Sequence, residues 1–254
     1  IDRFKGLLYQ HPIAPILLEG ATCIEGDFHW RRHVAYSSKK VMGDGFALVG
    51  DAAAFIDPFY SSGIDWISFT SYGTADLIVK ERQNKAVAKD FEARNELLLG
   101  SYQCWFESIY KNKYYYMGDW ELMRLGFQLD LGMYYLGLVS QPYKYGDDSF
   151  NAVPLNGPYT RFPAWLIATY NRRLAMIGKV RMQRKTWGKR NNGHYFPFNS
   201  FSFDKSLPLR VIGTLFAWFL LELKEGWRSW GCSVKKLPIP QQPEAPAQDS
   251  HATQ

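Results

Sequence analysis

Residues 47–66 read ALVGDAAAFIDPFYSSGIDW, and this stretch decides how the rest of the chain is interpreted. An apolar run ends at Gly50 and is followed at once by the acidic Asp51. The run is short and continuous, which is typical of a strand buried on both faces of a parallel sheet. Ser62 and Gly63 then precede a helical pattern, and serine is a favoured N-cap residue. The stretch therefore predicts a strand, a loop and a helix.

These predicted junctions offer two kinds of polar contact. Asp51 would lie at the carboxyl end of a strand, where open α/β sheets bind ligands, and its carboxylate suits sugar hydroxyls as an acceptor. The first amides of the helix have no helical partners and form a partial positive pole, which can hold an anion or charge on a ring. The small Ala52 and Ala53 would let the backbone approach a bulky ligand, and Pro58 would hold the loop rigid.

The rest of the chain divides into a β-rich beginning and a helical remainder. Residues 1–46 mix short apolar runs with glycine turns, and Gly-Asp-Gly at 43–45 predicts a tight turn. Helical periodicity follows, with a long loop at 141–158. The helical segments are predicted at residues 63–110, 111–140, 162–187 and 208–228.

We expect an α/β fold (an α+β fragment) in three parts. The first, residues 1–80, would hold the end of a substrate-side sheet with the last strand and helix of a cofactor-binding domain. The second, residues 81–236, would be mainly helical. The third, residues 237–254, is rich in Pro and Gln and is expected to be disordered.

The composition and the cysteine spacing argue against a disulfide framework and a cysteine-based metal site. The 254 residues are 46% hydrophobic, enough to bury a core, and the three cysteines show neither disulfide-framework nor metal-site spacing. We therefore expect a cytoplasmic protein without a metal site. No motif for nucleophilic catalysis is present, so no catalytic residue is assigned. The chain begins at Ile1, and we expect it to be the C-terminal portion of a longer protein.

The 47–66 stretch resembles the second FAD-binding motif of flavoprotein monooxygenases. In that motif a Gly-Asp pair is followed by Pro seven residues and Gly twelve residues after the Asp, as Pro58 and Gly63 follow Asp51 here. It is most similar to the flavin-dependent halogenases (the tryptophan halogenase-like family), which read roughly GDAA-x-F-x-DP-x-x-S-[ST]-G. The resemblance is specific over residues 28–66 and becomes vague in the helical remainder.

The resemblance implies a cofactor, a fold and a reaction type. The chain would be the C-terminal piece of an FAD/NAD(P)-binding Rossmann-like fold followed by a helical region. It would belong to an FAD-dependent oxidoreductase that uses reduced flavin and O2 on an organic substrate. Asp51 would bind the ribityl chain, and the Gly63 and Ile64 amides would face the pyrimidine end of the isoalloxazine. Ser62 and Gly63 would also be candidates for a chloride site. The implied cofactor-binding residues are Gly50, Asp51, Ala52, Ala53, Pro58, Ser61, Ser62, Gly63 and Ile64.

Three departures separate the chain from that pattern. Tyr60 stands where tryptophan halogenases carry a catalytic Glu. Asp65 stands where the relatives often carry His or Asn. The GxGxxG fingerprint, the active-site Lys and the WxWxIP signature of halogenases are not in these residues and are expected upstream of Ile1.

The expected partners follow from the cofactor and from the charge. The resemblance implies a small organic substrate, aromatic or lipid, and a flavin reductase as electron donor. Residues 171–236 carry fourteen basic and three acidic residues, whereas the net charge of the whole chain is +6. Next to this charge, residues 208–231 are largely apolar and rich in Trp, so the segment is either a buried helix with a solvated basic face or a peripheral membrane contact. No nucleic-acid motif accompanies the charge, and no nucleic-acid partner is expected.

Two other functions remain open. An isoprenoid- or lipid-acting flavin reductase would combine FAD with the apolar basic segment. A non-catalytic protein that binds membrane surfaces and keeps a vestigial flavin fold would account for the charge without catalysis.

Overall fold

The computed structural model describes residues 1–29, 34–60, 62–151, 155–156, 160–191 and 204–230. Within these ranges the chain is mostly helical, with four short strands, and is a mixed but α-rich structure. Residues 1–29 belong to one compact unit and residues 34–230 to another. Ser61 and the tail at 237–254 lie outside the described residues.

Helices dominate both units. The first unit contains α1 and α2, and the second contains the six others. Their bounds are Asp2–Leu8 (α1), Ala14–Leu17 (α2), Gly63–Arg82 (α3), Ala88–Trp105 (α4), Trp120–Tyr134 (α5), Ser140–Tyr145 (α6), Arg161–Gln183 (α7) and Leu207–Lys224 (α8). Single turns of 3₁₀ helix lie at Gly50–Ala52, Pro58–Tyr60, Lys113–Tyr115, Asp147–Asn151 and Gly226–Ser229, and π turns at Phe106–Tyr110 and Tyr135–Val139.

The strands form two antiparallel pairs. Strand β1 (Tyr36–Ser37) pairs with β4 (Ala54–Phe55), and β2 (Met42–Gly43) pairs with β3 (Phe46–Ala47). The expected Gly-Asp-Gly turn is confirmed, because it joins β2 to β3 in a hairpin.

The expectation of a buried parallel strand at 46–50 is wrong. Phe46 is 48% exposed, and the strand is two residues long. The tight turn before Phe46 folds β3 back onto β2, so that the backbone of Phe46 and Ala47 pairs locally within a two-stranded ribbon. A ribbon of this size has no opposing layers to cover both of its faces.

The expectation of β structure at the start of the chain is also wrong in part, because α1 and α2 are there. Asp2 lies in the first turn of α1 and Pro15 in the first turn of α2, both of which favour helix starts. The expected long loop at 141–158 begins instead with α6 and a 3₁₀ turn.

The predicted helices after residue 63 are confirmed, and local signals explain their ends. The Asp119 side chain accepts the Leu122 amide 3.3 Å away and caps α5. Asn84 follows α3 with a positive φ of 56°, and the Lys85 amide bonds back to the Lys80 carbonyl at 2.8 Å, which closes that helix.

The second unit contains two hydrophobic clusters. One packs α3 and α4 against the strands, around Trp66, Leu98 and Trp105. The other packs α5, α7 and α8 around Leu122, Tyr170 and Leu174. On α4, Leu98 and Trp105 are buried, whereas Phe91 is only partly buried. None of the described helices has the length and apolarity needed to cross a membrane.

Candidate functional site

The loop that leaves β3 is docked onto α3 through Gly50. The Gly50 amide donates to the Thr70 hydroxyl at 2.8 Å, and the residue has a positive φ of 54°. A Cβ at this position would lie 2.6 Å from Cγ1 of Ile67. Gly50 is therefore needed both for its backbone conformation and for the close approach of the loop to the helix.

Asp51 follows on the outer side of this turn. Its main-chain oxygen accepts a hydrogen bond from the Tyr36 hydroxyl, and its carboxylate has no partner among the described residues. Oδ1 of Asp51 lies 3.8 Å from the place that a Cβ on Gly63 would occupy. An exposed carboxylate therefore stands beside the start of α3.

The start of α3 leaves its first amides without side-chain caps. Ser62 occupies the N-cap position, but its hydroxyl lies 3.1 Å from the Tyr110 hydroxyl and makes no capping bond. The expected capping role of Ser62 is thus wrong, because its backbone is helical (φ −65°, ψ −9°) and not extended as capping requires. The amides of Gly63, Ile64 and Asp65 have no partner within the described part of the chain.

Asp51 and the helix start open onto one small cleft. Its enclosed volume is about 20 Å³, room for about one water molecule, so a larger ligand would extend out of it. Trp66 is buried in its wall, and its indole N–H has no partner among the residues that the structure describes. The rings of Tyr102 and Trp105 lie 6.2 and 6.5 Å from that of Trp66. The lining residues are Asp51, Ala54, Phe55, Ile56, Asp57, Ser62, Gly63, Trp66, Tyr102 and Trp105.

The structure brings together some of the predicted site residues and separates others. Asp51, Ser62 and Gly63 share the cleft, whereas five predicted residues do not line it. Gly50 and Ala53 are buried, and the other three are exposed. The five are Gly50, Ala52, Ala53, Pro58 and Ile64. Ser61 lies outside the described residues, and none of these placements tests what the residues bind.

Asp57 holds the loop that connects Asp51 to Gly63. Its Oδ1 accepts the Phe59 amide at 2.8 Å, and its Oδ2 accepts the Tyr114 hydroxyl. Partial burial and the hydrogen bond to this carboxylate raise the pKa of Tyr114 to about 12. The Asp-Pro pair in the sequence signals this turn, but the contact with Tyr114 joins residues 57 positions apart and has no local signal.

Tyr60 points into a buried polar cluster, called here the Asp130 cluster. The Tyr60 hydroxyl donates to Asp130 Oδ2 at 2.8 Å, and Lys113 forms a buried ion pair with the same carboxylate. Asn171 and the hydroxyls of Tyr116 and Tyr170 complete the network. The members are Tyr60, Lys113, Tyr116, Asp130, Tyr170 and Asn171.

The Asp130 cluster decides the protonation state of Tyr60. Burial, followed by the charge of Asp130, raises the pKa of Tyr60 far above its usual value. The phenol therefore stays protonated and donates to the carboxylate. Burial also lowers the pKa of Lys113, although Asp130 opposes that shift. Sequence analysis missed this cluster because its members come from separate segments and follow no motif.

Asp65 lies in the first turn of α3 and contacts α5. The Tyr134 hydroxyl is 3.1 Å from both of its carboxylate oxygens, and burial raises the pKa of Asp65. The residue thus links two helices as well as placing an acid in the first turn. No group of His, Cys, Asp and Glu residues suited to a metal ion occurs in the described ranges.

The cleft combines a hydrogen-bond acceptor with several hydrogen-bond donors. The Asp51 carboxylate can accept from hydroxyl groups, whereas the first amides of α3, which have no partner among the described residues, can donate to electron-rich atoms. The amides also carry the partial positive charge of a 20-residue helix. This donor set suits a ligand that joins a polyol to a ring on which negative charge develops.

Comparison with known proteins finds partial likenesses to halogenating enzymes. The chain is 32% identical over 76 residues to a 1H-pyrrole-2-carbonyl-[peptidyl-carrier protein] chlorinase of Pseudomonas fluorescens, a match of 30% of the chain. It is 45% identical over 60 residues to a tryptophan 2-halogenase of Chondromyces crocatus, a match of 24% of the chain. The matched segments cover 17% and 11% of those two proteins, so the chain spans only a small part of their length. No family model and no solved structure matches the chain.

Proposed function

We propose that the chain supplies the flavin-holding end of an FAD-dependent oxidoreductase of the halogenase or monooxygenase type. One observation carries the proposal: the Asp51 carboxylate, which has no partner among the described residues, stands beside the start of α3 at Gly63, where no side chain caps the helix. Under this proposal the segment from β3 to α3 is the end of a Rossmann-like FAD domain, and the helices after it form a C-terminal region. The partial likeness to two halogenases supports the same conclusion.

The residues present fit the ribityl and isoalloxazine part of FAD. Asp51 would accept hydrogen bonds from ribityl hydroxyls, and the amides of Gly63 and Ile64 would donate to the pyrimidine edge of the ring. Trp66 also lines the cleft, and its indole N–H is buried without a partner among the described residues.

Bound FAD, when reduced, supplies electrons to O2 for oxygenation of an organic substrate or oxidation of a halide. The protein's own contribution is electrostatic and positional. The positive pole of α3 stabilises negative charge on the reduced ring, and the walls formed by Trp66, Tyr102 and Trp105 exclude water from one side of the cleft.

The Asp130 cluster limits what Tyr60 can do. Its hydroxyl is engaged by a buried carboxylate and stays protonated, so Tyr60 would not replace the catalytic Glu of tryptophan halogenases as an acid or base. The Ser62 hydroxyl is likewise engaged by Tyr110, so a halide near the helix start would be held by the amides of Gly63 and Ile64. The proposed substrate is a small aromatic compound, and a separate flavin reductase would supply the reduced cofactor.

The first test of the proposal is FAD affinity, measured by equilibrium dialysis of the purified protein. We expect Asp51→Ala to weaken FAD binding about tenfold or more, because it removes a charged acceptor of hydrogen bonds. Glu92→Ala is the matched control, since it deletes an exposed carboxylate on α4 away from the cleft. Absence of FAD binding by the unaltered protein, or equal affinity in the Asp51→Ala variant, would overturn the proposal.

A second ligand tests whether Asp51 contacts the ribityl chain in particular. Lumichrome contains the ring of FAD but lacks the ribityl chain and the adenine end. Its affinity should not change in Asp51→Ala, because the proposal places Asp51 only at the ribityl end. An equal loss of affinity for both ligands would show instead that the substitution disturbs the fold.

A further inference from the structure

One side of α8 exposes apolar side chains along its whole length. They recur at intervals of three or four residues, so they share one face of the helix. Their exposed fractions lie between 49% and 71%. The residues are Leu209, Ile212, Phe216, Phe219, Leu220 and Leu223, and this set is called here the α8 face. Continuous apolar surfaces of this kind mark sites of interaction with proteins or membranes.

The opposite side of α8 is anchored in the fold. Its buried residues are Leu207, Val211 and Leu221. The Glu222 carboxylate also forms a bidentate ion pair with the guanidinium of Arg173 on α7, with N–O distances of 3.0 and 2.6 Å. The helix therefore cannot roll to hide its exposed face without breaking these contacts. The α8 face is a fixed feature of the folded unit.

The charges around α8 favour an anionic partner. The nearby acids are all paired: Glu222 with Arg173, Glu225 with Arg181, and Asp204 with Arg210. The cations Lys205, Lys224 and Arg228 are exposed at the two ends of the helix, and no ion pair involves them among the described residues. The rim of the apolar face is therefore positively charged.

Two exposed tryptophans follow the end of α8. Trp227 is 52% exposed and Trp230 is 60% exposed, and the guanidinium of Arg228 lies 5.0 Å from the ring of Trp227. Tryptophan is enriched at membrane interfaces, where its ring is apolar and its N–H can reach headgroups. Cations next to such rings add attraction to anionic lipids.

From this arrangement we propose that the α8 face docks on an anionic phospholipid surface, with the helix lying in the plane of the interface. The apolar side chains enter the boundary between headgroups and acyl chains, and Lys205, Lys224 and Arg228 meet the phosphates. A second copy of the chain fits less well. Both ends of α8 are cationic, so parallel and antiparallel pairing would each bring like charges together.

The test is co-sedimentation of the purified protein with vesicles, since the inference does not depend on the bound cofactor. One set of vesicles contains phosphatidylcholine alone, and the other contains equal parts of phosphatidylcholine and phosphatidylglycerol. We expect binding to the second set only, with affinity that falls as salt is added. Lys224→Gln combined with Arg228→Gln should weaken binding about tenfold.

Substitutions in the α8 face distinguish specific docking from non-specific hydrophobic binding to vesicles. Phe216→Ser with Phe219→Ser should weaken vesicle binding about tenfold or more. The matched control, Tyr143→Ser with Tyr145→Ser, removes two exposed aromatic rings from α6 and should leave vesicle binding unchanged. Thermal unfolding of each variant checks that the fold is retained.

Three results would overturn the proposal. The first is absence of binding to the anionic vesicles. The second is equal loss of binding in the α6 control. The third is association of the protein into dimers, lost in the Phe216→Ser and Phe219→Ser variant, without any binding to vesicles. That third result would assign the α8 face to a second copy of the chain.

Discussion

At the residue scale, the cleft depends on one backbone conformation. Gly50 turns the chain with a positive φ, donates its amide to Thr70 and lies against Ile67. Asp51 is the next residue, so its position relative to Gly63 depends on that turn. The glycine therefore acts on ligand binding through geometry, although it does not line the cleft.

Gly50→Ala tests this dependence. We expect the free energy of unfolding to fall by about 1–3 kcal/mol, because a Cβ meets the Ile67 side chain and the left-handed backbone disfavours alanine. Urea unfolding measures the change. Gly6→Ala is the control, since a Cβ on Gly6 meets nothing within 4 Å and its φ is not positive. An equal response of the two variants would contradict the close approach of the loop to α3.

At the scale of elements, α4 holds the strands in place through Asn95. Its Oδ1 accepts the amides of Val41 and Met42 at 2.8 and 2.9 Å, and its Nδ2 donates to the Met42 carbonyl at 2.8 Å. The π turn that ends α4 presents Tyr110 to the hydroxyl of Ser62. One helix therefore fixes both the hairpin before the cleft and the helix start within it.

Asn95→Ala should loosen the hairpin more than the rest of the fold. We expect a loss of about 2–4 kcal/mol in the free energy of unfolding, because three buried hydrogen bonds lose their partner. Hydrogen exchange of the Val41 and Met42 amides should become faster. Asn95→Asp keeps the acceptor and should preserve more of that protection, and Gln103→Ala on the exposed side of α4 should change neither quantity. Unchanged hydrogen exchange of these two amides in Asn95→Ala would refute the role of Asn95 in holding the hairpin on α4.

At the scale of the whole unit, the Asp130 cluster connects segments that are distant in sequence. It joins the 3₁₀ turn at 58–60 and the turn at 113–115 to α5 and α7. Lys113 and Asp130 are almost fully buried, so each charge depends on the other and on the surrounding hydroxyls. Through Tyr60 this network also holds the loop next to the start of α3.

Lys113→Met should cost about 3–5 kcal/mol in unfolding free energy, because it leaves the Asp130 carboxylate buried without a counter-charge. Lys111→Met is the control: Lys111 lies two residues away in an exposed pair with Glu107, where about 0–1 kcal/mol is expected. Chemical unfolding of both variants gives the comparison. If Lys113→Met does not fold, Tyr170→Phe removes one bond of the same cluster and should cost about 1 kcal/mol. Similar costs for Lys113→Met and Lys111→Met would refute the role of the cluster.

The sequence by itself predicted the elements whose signals are local. The Asp44-Gly45 turn, the helices after residue 63 and the order Asp51, Pro58 and Gly63 were all readable from residue types and spacing. Local signals suffice here because a helix bonds residues four apart and a tight turn depends on two residues. The same spacing also led to the flavin interpretation, which stays a proposal.

Only the tertiary structure decided which groups meet. It paired β3 with β2 as an exposed ribbon, turned the Ser62 hydroxyl toward Tyr110 and brought the Trp66 indole into the cleft. It also gathered the Asp130 cluster from four separate segments. The physical reason is the same in each case: burial and side-chain pairing depend on contacts between residues far apart in the chain, and hydrophobic periodicity shows that a face is apolar without showing what covers it.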